Sequence, residues 1–202
     1  MQPVLKNLVS RIVSGGQTGA DRAALDWAIR NDVPHGGWCP RGRKAEDGVL
    51  PAKYKLRETE SKDYRQRTRQ NVIDSDGTLV LNLGALDGGT LKTVSLAEQL
   101  GKPHLVLQLD SGISDEDVLH VLAWLRRESI SILNVAGPRE SKRLGIYSLT
   151  NELLDRVAKP AHYQPTEEKI EVGRAGRPPE IGTYTPPVSY QARKRKPSNS
   201  SS

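Results

Sequence analysis

Short apolar segments alternate with longer amphipathic segments through the first 160 residues. Buried strands are predicted by four segments rich in aliphatic and β-branched residues, namely 8–14, 78–83, 104–109 and 130–135. Helices are predicted at 18–30, 61–75, 90–100 and 114–127, and from Ser141 or Gly145 to Ala158. Strands separated by helices pair in parallel and are covered on both faces. The pattern therefore predicts an α/β domain over residues 1–160.

The last part of the chain, residues 161–202, differs from the rest. It contains six of the 13 prolines, ends in serine-rich sequence and has almost no apolar periodicity. Such a segment buries too little surface to offset its ordering entropy, so we predict a disordered tail. The basic run 193–196 suggests contact with nucleic acid. A solvated tail is the simpler interpretation, and we regard nucleic-acid binding as the third and weakest hypothesis.

Composition narrows the function classes. The formal net charge is +6, and half of this excess lies in the tail. No apolar run approaches the roughly 18 residues of a membrane helix, so we expect no membrane association. The single cysteine, Cys39, indicates a reducing compartment, and residues 1–10 lack the apolar segment of a secretory signal. We therefore expect a cytoplasmic protein. The four histidines lack metal-ligand spacing, and we assign no metal site.

Glycine-bearing loops follow three of the four predicted strands. They are 14–21 (SGGQTGAD), 82–90 (NLGALDGGT) and 134–141 (NVAGPRES). Ligands of open α/β sheets bind at the carboxyl ends of strands, where backbone amides and helix N-termini favour phosphate. Neither a P-loop nor a Gly-x-Gly-x-x-Gly motif is present. The three loops together predict a phosphate- or nucleotide-type ligand, with plain structural turns as the alternative.

Two polar segments offer further candidates. In the glycine-rich segment 36–48, Arg41 is a candidate anion ligand and Trp38 a candidate stacking platform, unless the segment is a solvated loop with Trp38 packed on the core. In the helix 61–75, Arg67 and Asn71 are four residues apart and share one face. That face is a candidate for holding phosphate or ribose. Arg65 and Arg69 are expected to face solvent.

The motif order resembles that of a bacterial family described as molybdenum carriers, now grouped as circularly permuted YpsA-type members of the SLOG superfamily. The resemblance is carried by the loop 14–26, by 37–48, by 67–78, by 88–93 and by 134–141, and it spans about residues 11–158. It implies a Rossmann-like, doubly wound, mainly parallel sheet with helices on both faces. It also relates the chain to the lysine-decarboxylase-like (LOG) proteins.

The resemblance implies a ligand as well as a fold. A nucleotide-derived molecule such as ADP-ribose or NAD is one expectation, and molybdenum cofactor, a pterin that carries phosphate, is the other. The first hypothesis is therefore a sensor or carrier of such a small molecule. Relatives are often dimers or larger, so a homo-oligomer is also expected.

One departure from the hydrolytic relatives bears on catalysis. They carry Pro-Gly-Gly-x-Gly-Thr-x-x-Glu, with the Glu acting in glycosidic cleavage, whereas this chain reads DGGTLKT at 87–93 and has no glutamate from there until Glu98. Such cleavage needs a carboxylate. Asp21, Asp76 and Asp87 are weak substitutes among which the sequence does not choose. A nucleotide N-glycosidic hydrolase is therefore the second hypothesis.

These patterns yield one set of candidate ligand-binding residues. The set comprises Gly15, Gly16, Gln17, Thr18, Gly19, Asp21, Trp38, Arg41, Arg67, Asn71, Asp76, Gly88, Gly89, Thr90, Thr93, Gly137, Arg139 and Ser141.

Overall fold

The computed structural model describes residues 4–159, in which a parallel sheet is covered by helices. Its elements follow one another along the chain as α1 (Val4–Leu8), β1 (Arg11–Val13), α2 (Ala20–Arg30), β2 (His35–Gly36), β3 (Trp38–Cys39), β4 (Lys44–Ala45), β5 (Gly48–Val49), β6 (Arg57–Glu58), α3 (Tyr64–Ile73), β7 (Gly77–Asn82), α4 (Gly88–Gln99), β8 (His104–Gln108), α5 (Asp115–Arg127), β9 (Ile132–Ala136) and α6 (Ile146–Ala158).

The central sheet has five strands in the order β2-β1-β9-β7-β8, and every neighbouring pair is parallel. The predicted α/β fold with a parallel sheet is thus confirmed. Strand β2 was not predicted, because the turn-rich sequence around it hides a strand of only two residues. It pairs with β1, with Ile12 opposite His35, and this tertiary contact produces no periodic pattern of apolar residues in the sequence.

The chain crosses the sheet in two opposite directions. From β1 it passes through α2 outward to β2, and from β7 it passes through α4 outward to β8 on the other side. Right-handed crossovers that run in opposite directions place their helices on opposite faces. Accordingly α2 packs with α6, and α6 with α5, whereas α4 packs with α3. The carboxyl ends of β1, β9 and β7 therefore meet at the switch point between the two halves, where such sheets bind ligands.

Two apolar clusters stabilise this fold. The larger lies between the sheet and its helices, where Trp27 and Trp124 are fully buried among aliphatic side chains. The smaller contains Leu25, Cys39 and Leu50 and supports the insertion, our name for residues 38–58 with strands β3 to β6. Burial raises the pKa of the Cys39 thiol, so Cys39 is a buried, protonated packing residue.

Local signals explain where the helices begin. Ser114 and Asp117 form a capping box at the start of α5, which agrees with the helix predicted at 114–127. Helix α4 begins at Gly88, two residues before the predicted start. Helix α6 begins at Ile146 after Gly145, whose left-handed backbone favours glycine, so Ser141 stays in the preceding loop.

The predicted tail, 161–202, lies outside the described residues, so its disorder and its nucleic-acid contact stay predictions. Within residues 4–159, no helix combines the length and the apolar character needed to cross a membrane.

Candidate functional site

A cavity of about 530 Å³ opens at the carboxyl ends of β1, β9 and β7. Its walls come from all three glycine-bearing loops, together with α3 and α4. Eleven of the predicted site residues line it, namely Gly15, Gln17, Asp21, Arg67, Asn71, Gly89, Thr90, Thr93, Gly137, Arg139 and Ser141. The sheet order explains why segments so distant in sequence meet, since the three loops follow three adjacent strands.

A buried ion pair forms part of the cavity wall. Nη1 of Arg67, on α3, lies 2.8 Å from Oδ2 of Asp21, in the first turn of α2, and the two side chains are 14% and 4% exposed. The first turn of a helix is also a favourable place for a carboxylate, because the helix dipole is positive there. Gly15 lies directly beneath the pair, and a Cβ atom at that position would overlap the Arg67 guanidinium. Glycine is therefore required at residue 15 for α3 to reach α2.

Gln17 is held by its carbonyl oxygen. Oε1 accepts hydrogen bonds from the backbone N–H groups of Thr18, at 3.0 Å, and Glu46, at 2.9 Å. Gln17 is 5% exposed, and its Nε2 atom is buried without a hydrogen-bond partner, as is Nε of Arg67. Buried donors without partners are uncommon in folded proteins. Both residues line the cavity.

Glu46 connects the insertion to two of the cavity loops. Its carboxylate accepts hydrogen bonds from the hydroxyl groups of Thr18 and of Ser141, the latter at 2.6 Å, and Arg139 lies 3.9 Å away. Burial favours the neutral acid, but the hydrogen bonds from Ser141 and Thr18 outweigh it and lower the pKa of Glu46. Sequence reasoning did not select Glu46, because its partners are 28 and 95 residues away.

Cationic and aromatic side chains lie at the mouth of the cavity. The Tyr64 ring has the guanidinium groups of Arg139 and Arg67 at 5.3 and 5.7 Å from its centroid, a cation–π arrangement. Lys142 also lines the cavity and forms an ion pair of 2.6 Å with Asp87. Tyr64 and Lys142 were missed as candidates, since nothing in their local sequence distinguishes them from surface residues.

The Asn71 side chain is hydrogen-bonded to the backbone of Trp38. The Asn71 side chain accepts from the backbone N–H of Trp38, at 2.7 Å, and donates to its carbonyl oxygen, at 3.1 Å. The Trp38 indole donates to Asp74, at 2.7 Å, and Trp38 does not line the cavity. Asn71 thus fixes the insertion to α3 while it forms part of the cavity wall.

Several other candidates lie beside the cavity rather than in it. Gly16, Thr18, Gly19 and Gly88 belong to the loops but do not line it. Gly19 instead allows two loops to meet, because a Cβ atom there would overlap the carbonyl oxygen of Pro138. Arg41 is exposed in the insertion and also lies outside the cavity.

The three acidic candidates lie at different places in the fold. Asp76 precedes β7 and therefore lies at the opposite, amino-terminal edge of the sheet, where its Oδ2 atom accepts from the N–H groups of Ser131 and Ile132 at 3.0 and 2.6 Å. Asp87 is the N-cap residue of α4, and its hydrogen bond with Lys142 lowers its pKa. Of the described acidic side chains, Asp21 is the one that lines the cavity. No group of three or more His, Cys, Asp or Glu side chains within residues 4–159 is arranged to hold a metal ion.

Comparisons with known proteins agree with this geometry. A model of the circularly permutated YpsA SLOG family matches residues 12–158. A crystal structure named "Putative molybdenum carrier protein", from Syntrophus aciditrophicus SB, is 47% identical in sequence and superposes with a TM-score of 0.72. The match covers 78% of this chain and 97% of that chain. No curated protein matches the sequence.

The ion pair leads to the first prediction. Replacing Asp21 with Asn leaves the Arg67 charge buried and uncompensated, so we expect D21N to lower the free energy of unfolding by about 3–5 kcal/mol. Replacing Arg67 with Met should have a similar effect, whereas the double variant D21N/R67M should lose less than the sum of the two. Urea denaturation of the four proteins measures this coupling. Strictly additive losses would show that the two groups do not interact.

The second prediction concerns Glu46. Its pKa is lowered from an ordinary value of 4.5 in the folded protein, so its stabilisation is complete above that pH and is lost as the pH falls through the folded-state pKa. The stability difference between the wild type and E46Q should therefore shrink between about pH 6 and about pH 3. The exposed Glu60 provides the control variant E60Q, whose difference from the wild type should not change with pH. A constant difference for E46Q would contradict the assigned hydrogen bonds.

Proposed function

Because the chain belongs to the circularly permutated YpsA SLOG family, we propose that it binds a phosphate-bearing small molecule as a sensor or carrier. The proposed ligand is either nucleotide-derived, such as ADP-ribose or NAD, or molybdenum cofactor. The observation that carries this proposal is the meeting of three glycine-bearing loops around one cavity at the switch point of the sheet. Open α/β sheets bind nucleotides and related ligands at this place.

The charges around the cavity favour an anionic group. Arg139 and Lys142 line its mouth, and Gly89 and Thr90 line it at the first turn of α4. A helix N-terminus offers backbone N–H groups and a favourable dipole to phosphate. Arg67, Arg139 and Lys142 are each ion-paired, with Asp21, Glu46 and Asp87 respectively. Arg139 and Lys142 are 44% and 42% exposed whereas Arg67 is 14% exposed, so these two can turn from their partners to a phosphate at the smaller cost.

The volume and the aromatic edge favour a planar group. About 530 Å³ lies within the usual range of about 300–1,000 Å³ for sites of small molecules. The Tyr64 ring, 36% exposed, contributes an aromatic side chain to the cavity, with the guanidinium groups of Arg139 and Arg67 over it. These residues suit molybdenum cofactor as cargo, with its phosphate on Arg139 and Lys142. The one cysteine, Cys39, is buried in the smaller apolar cluster and does not line the cavity, so it is no ligand for a metal carried there.

The structure also sharpens the enzymatic alternative. Hydrolysis of an N-glycosidic bond would depend on Asp21, the described carboxylate that lines the cavity, and this group is ion-paired with Arg67. Release of free base from nucleoside monophosphates or NAD, abolished in D21N under conditions where that variant is still folded, would establish this activity. Ligand binding without base release would support the sensor or carrier.

The third prediction tests the ligand class by calorimetry with ADP-ribose, AMP, NAD and molybdenum cofactor. We expect at least one to bind, and we expect R139A and K142A each to weaken its binding by about 10-fold or more, since charge-assisted hydrogen bonds contribute about 1.5–3 kcal/mol. Arg41 provides the matched control, because it is exposed and lies outside the cavity, and R41A should bind like the wild type. Absence of binding by the folded wild type, or equal weakening in R41A, would contradict the proposal.

A further inference from the structure

We propose that the Gln17 carboxamide recognises the planar ring of the ligand, by donating a hydrogen bond from Nε2 to an uncharged acceptor, while the phosphate lies at the mouth. This inference rests on the proposed function and adds the orientation of the ligand in the cavity. It assigns a ring oxygen or ring nitrogen of the ligand to the inner wall of the cavity.

The orientation of the Gln17 amide is determined by its partners. Both groups that contact Oε1 are backbone N–H donors, those of Thr18 and Glu46. An amide turned by 180° would face these two donors with its own NH₂ group and lose both hydrogen bonds. Oε1 therefore binds the loop through Thr18 and the insertion through Glu46, and Nε2 is a donor without a protein partner.

The surroundings of Gln17 favour an uncharged acceptor over phosphate. Ionic residues close to Gln17 include Asp21, whose Oδ2 atom accepts a hydrogen bond of 3.4 Å from the Gln17 backbone N–H, and its partner Arg67. This pair is neutral as a whole, so the inner wall has no free positive charge to balance a buried phosphate. Arg139 and Lys142 are 44% and 42% exposed at the mouth, where water reduces the cost of holding an anion.

An unpartnered buried donor is unfavourable unless a ligand or an ordered water accepts its hydrogen bond. A ligand whose ring reaches Gln17 regains this free energy on binding, whereas ribose 5-phosphate, which has no ring base, does not. The carboxamide would therefore distinguish nucleotide-like or pterin-like molecules from simple sugar phosphates, which the mouth alone would bind.

The isosteric variant Q17E tests this role, since it keeps an oxygen for the two backbone donors and removes the NH₂ group. Calorimetry uses guanosine 5′-monophosphate, adenosine 5′-monophosphate and ribose 5-phosphate, with the exposed Gln99 giving the control variant Q99E. We expect Q17E to weaken binding of the two nucleotides by about 10-fold or more beyond any change for ribose 5-phosphate, which reports the effect of the charge that the glutamate adds. In the wild type, the side-chain amide signal of Gln17 in ¹⁵N NMR should shift with the nucleotides and not with ribose 5-phosphate, which tests the contact even if Q17E does not fold.

The other outcomes separate the two proposals. Equal weakening of all three probes would show that the variant acts through its charge and not through ring recognition, and would overturn the orientation. Unchanged nucleotide binding in Q17E, with an unmoved amide signal, would show that water satisfies the donor and would also overturn it. Nucleotides that bind no tighter than ribose 5-phosphate would refute ring recognition while the proposed function stands, and failure of all phosphorylated ligands to bind would refute both.

Discussion

The buried ion pair between Arg67 and Asp21 is the contact on which the arrangement of the cavity depends. It joins α3 to the first turn of α2, across the end of β1. Two charges removed from water are stable only as a close pair, so neither helix can move away alone without leaving a charge uncompensated. Glycine at residue 15 leaves room for the pair, because the Cβ atom of any other residue would overlap the present position of the Arg67 guanidinium.

A second set of contacts fixes the loops to one another. Glu46 holds Thr18 and Ser141 together, and Gln17 holds the backbone of Glu46. Asn71 binds the insertion to α3 through the Trp38 backbone. Much of the polar lining therefore supports the cavity, and the groups left for a ligand are few: the Gln17 amide, the exposed cations and the start of α4.

The fold and the edge of the sheet at which the cavity lies were predictable from sequence for physical reasons. Alternation of apolar strands with amphipathic helices requires a parallel sheet, and loops after parallel strands meet at one edge. Spacing along α3 also separated Arg67 and Asn71, which line the cavity, from Arg65 and Arg69, which are exposed. Periodicity failed for β2, which is too short to show any. Periodicity also gives no information about which side chains pair in space, so Glu46, Tyr64 and Lys142 were not selected as candidate site residues. Asp76 was selected from a motif, although its place before β7 puts it at the amino edge.

Amide chemical shifts during ligand titration test the location of the site most directly. Two-dimensional ¹H–¹⁵N NMR of the isotope-labelled protein would follow the backbone amides of Gly15, Gly89 and Gly137, one from each cavity loop, as the ligand that binds in calorimetry is added. If the cavity holds the ligand, these three amides shift together with one dissociation constant, and those of Arg41 and Gly42 in the insertion stay in place. Shifts confined to Arg41 and Gly42, with the three loop glycines unmoved, would contradict a ligand site at the switch point of the sheet.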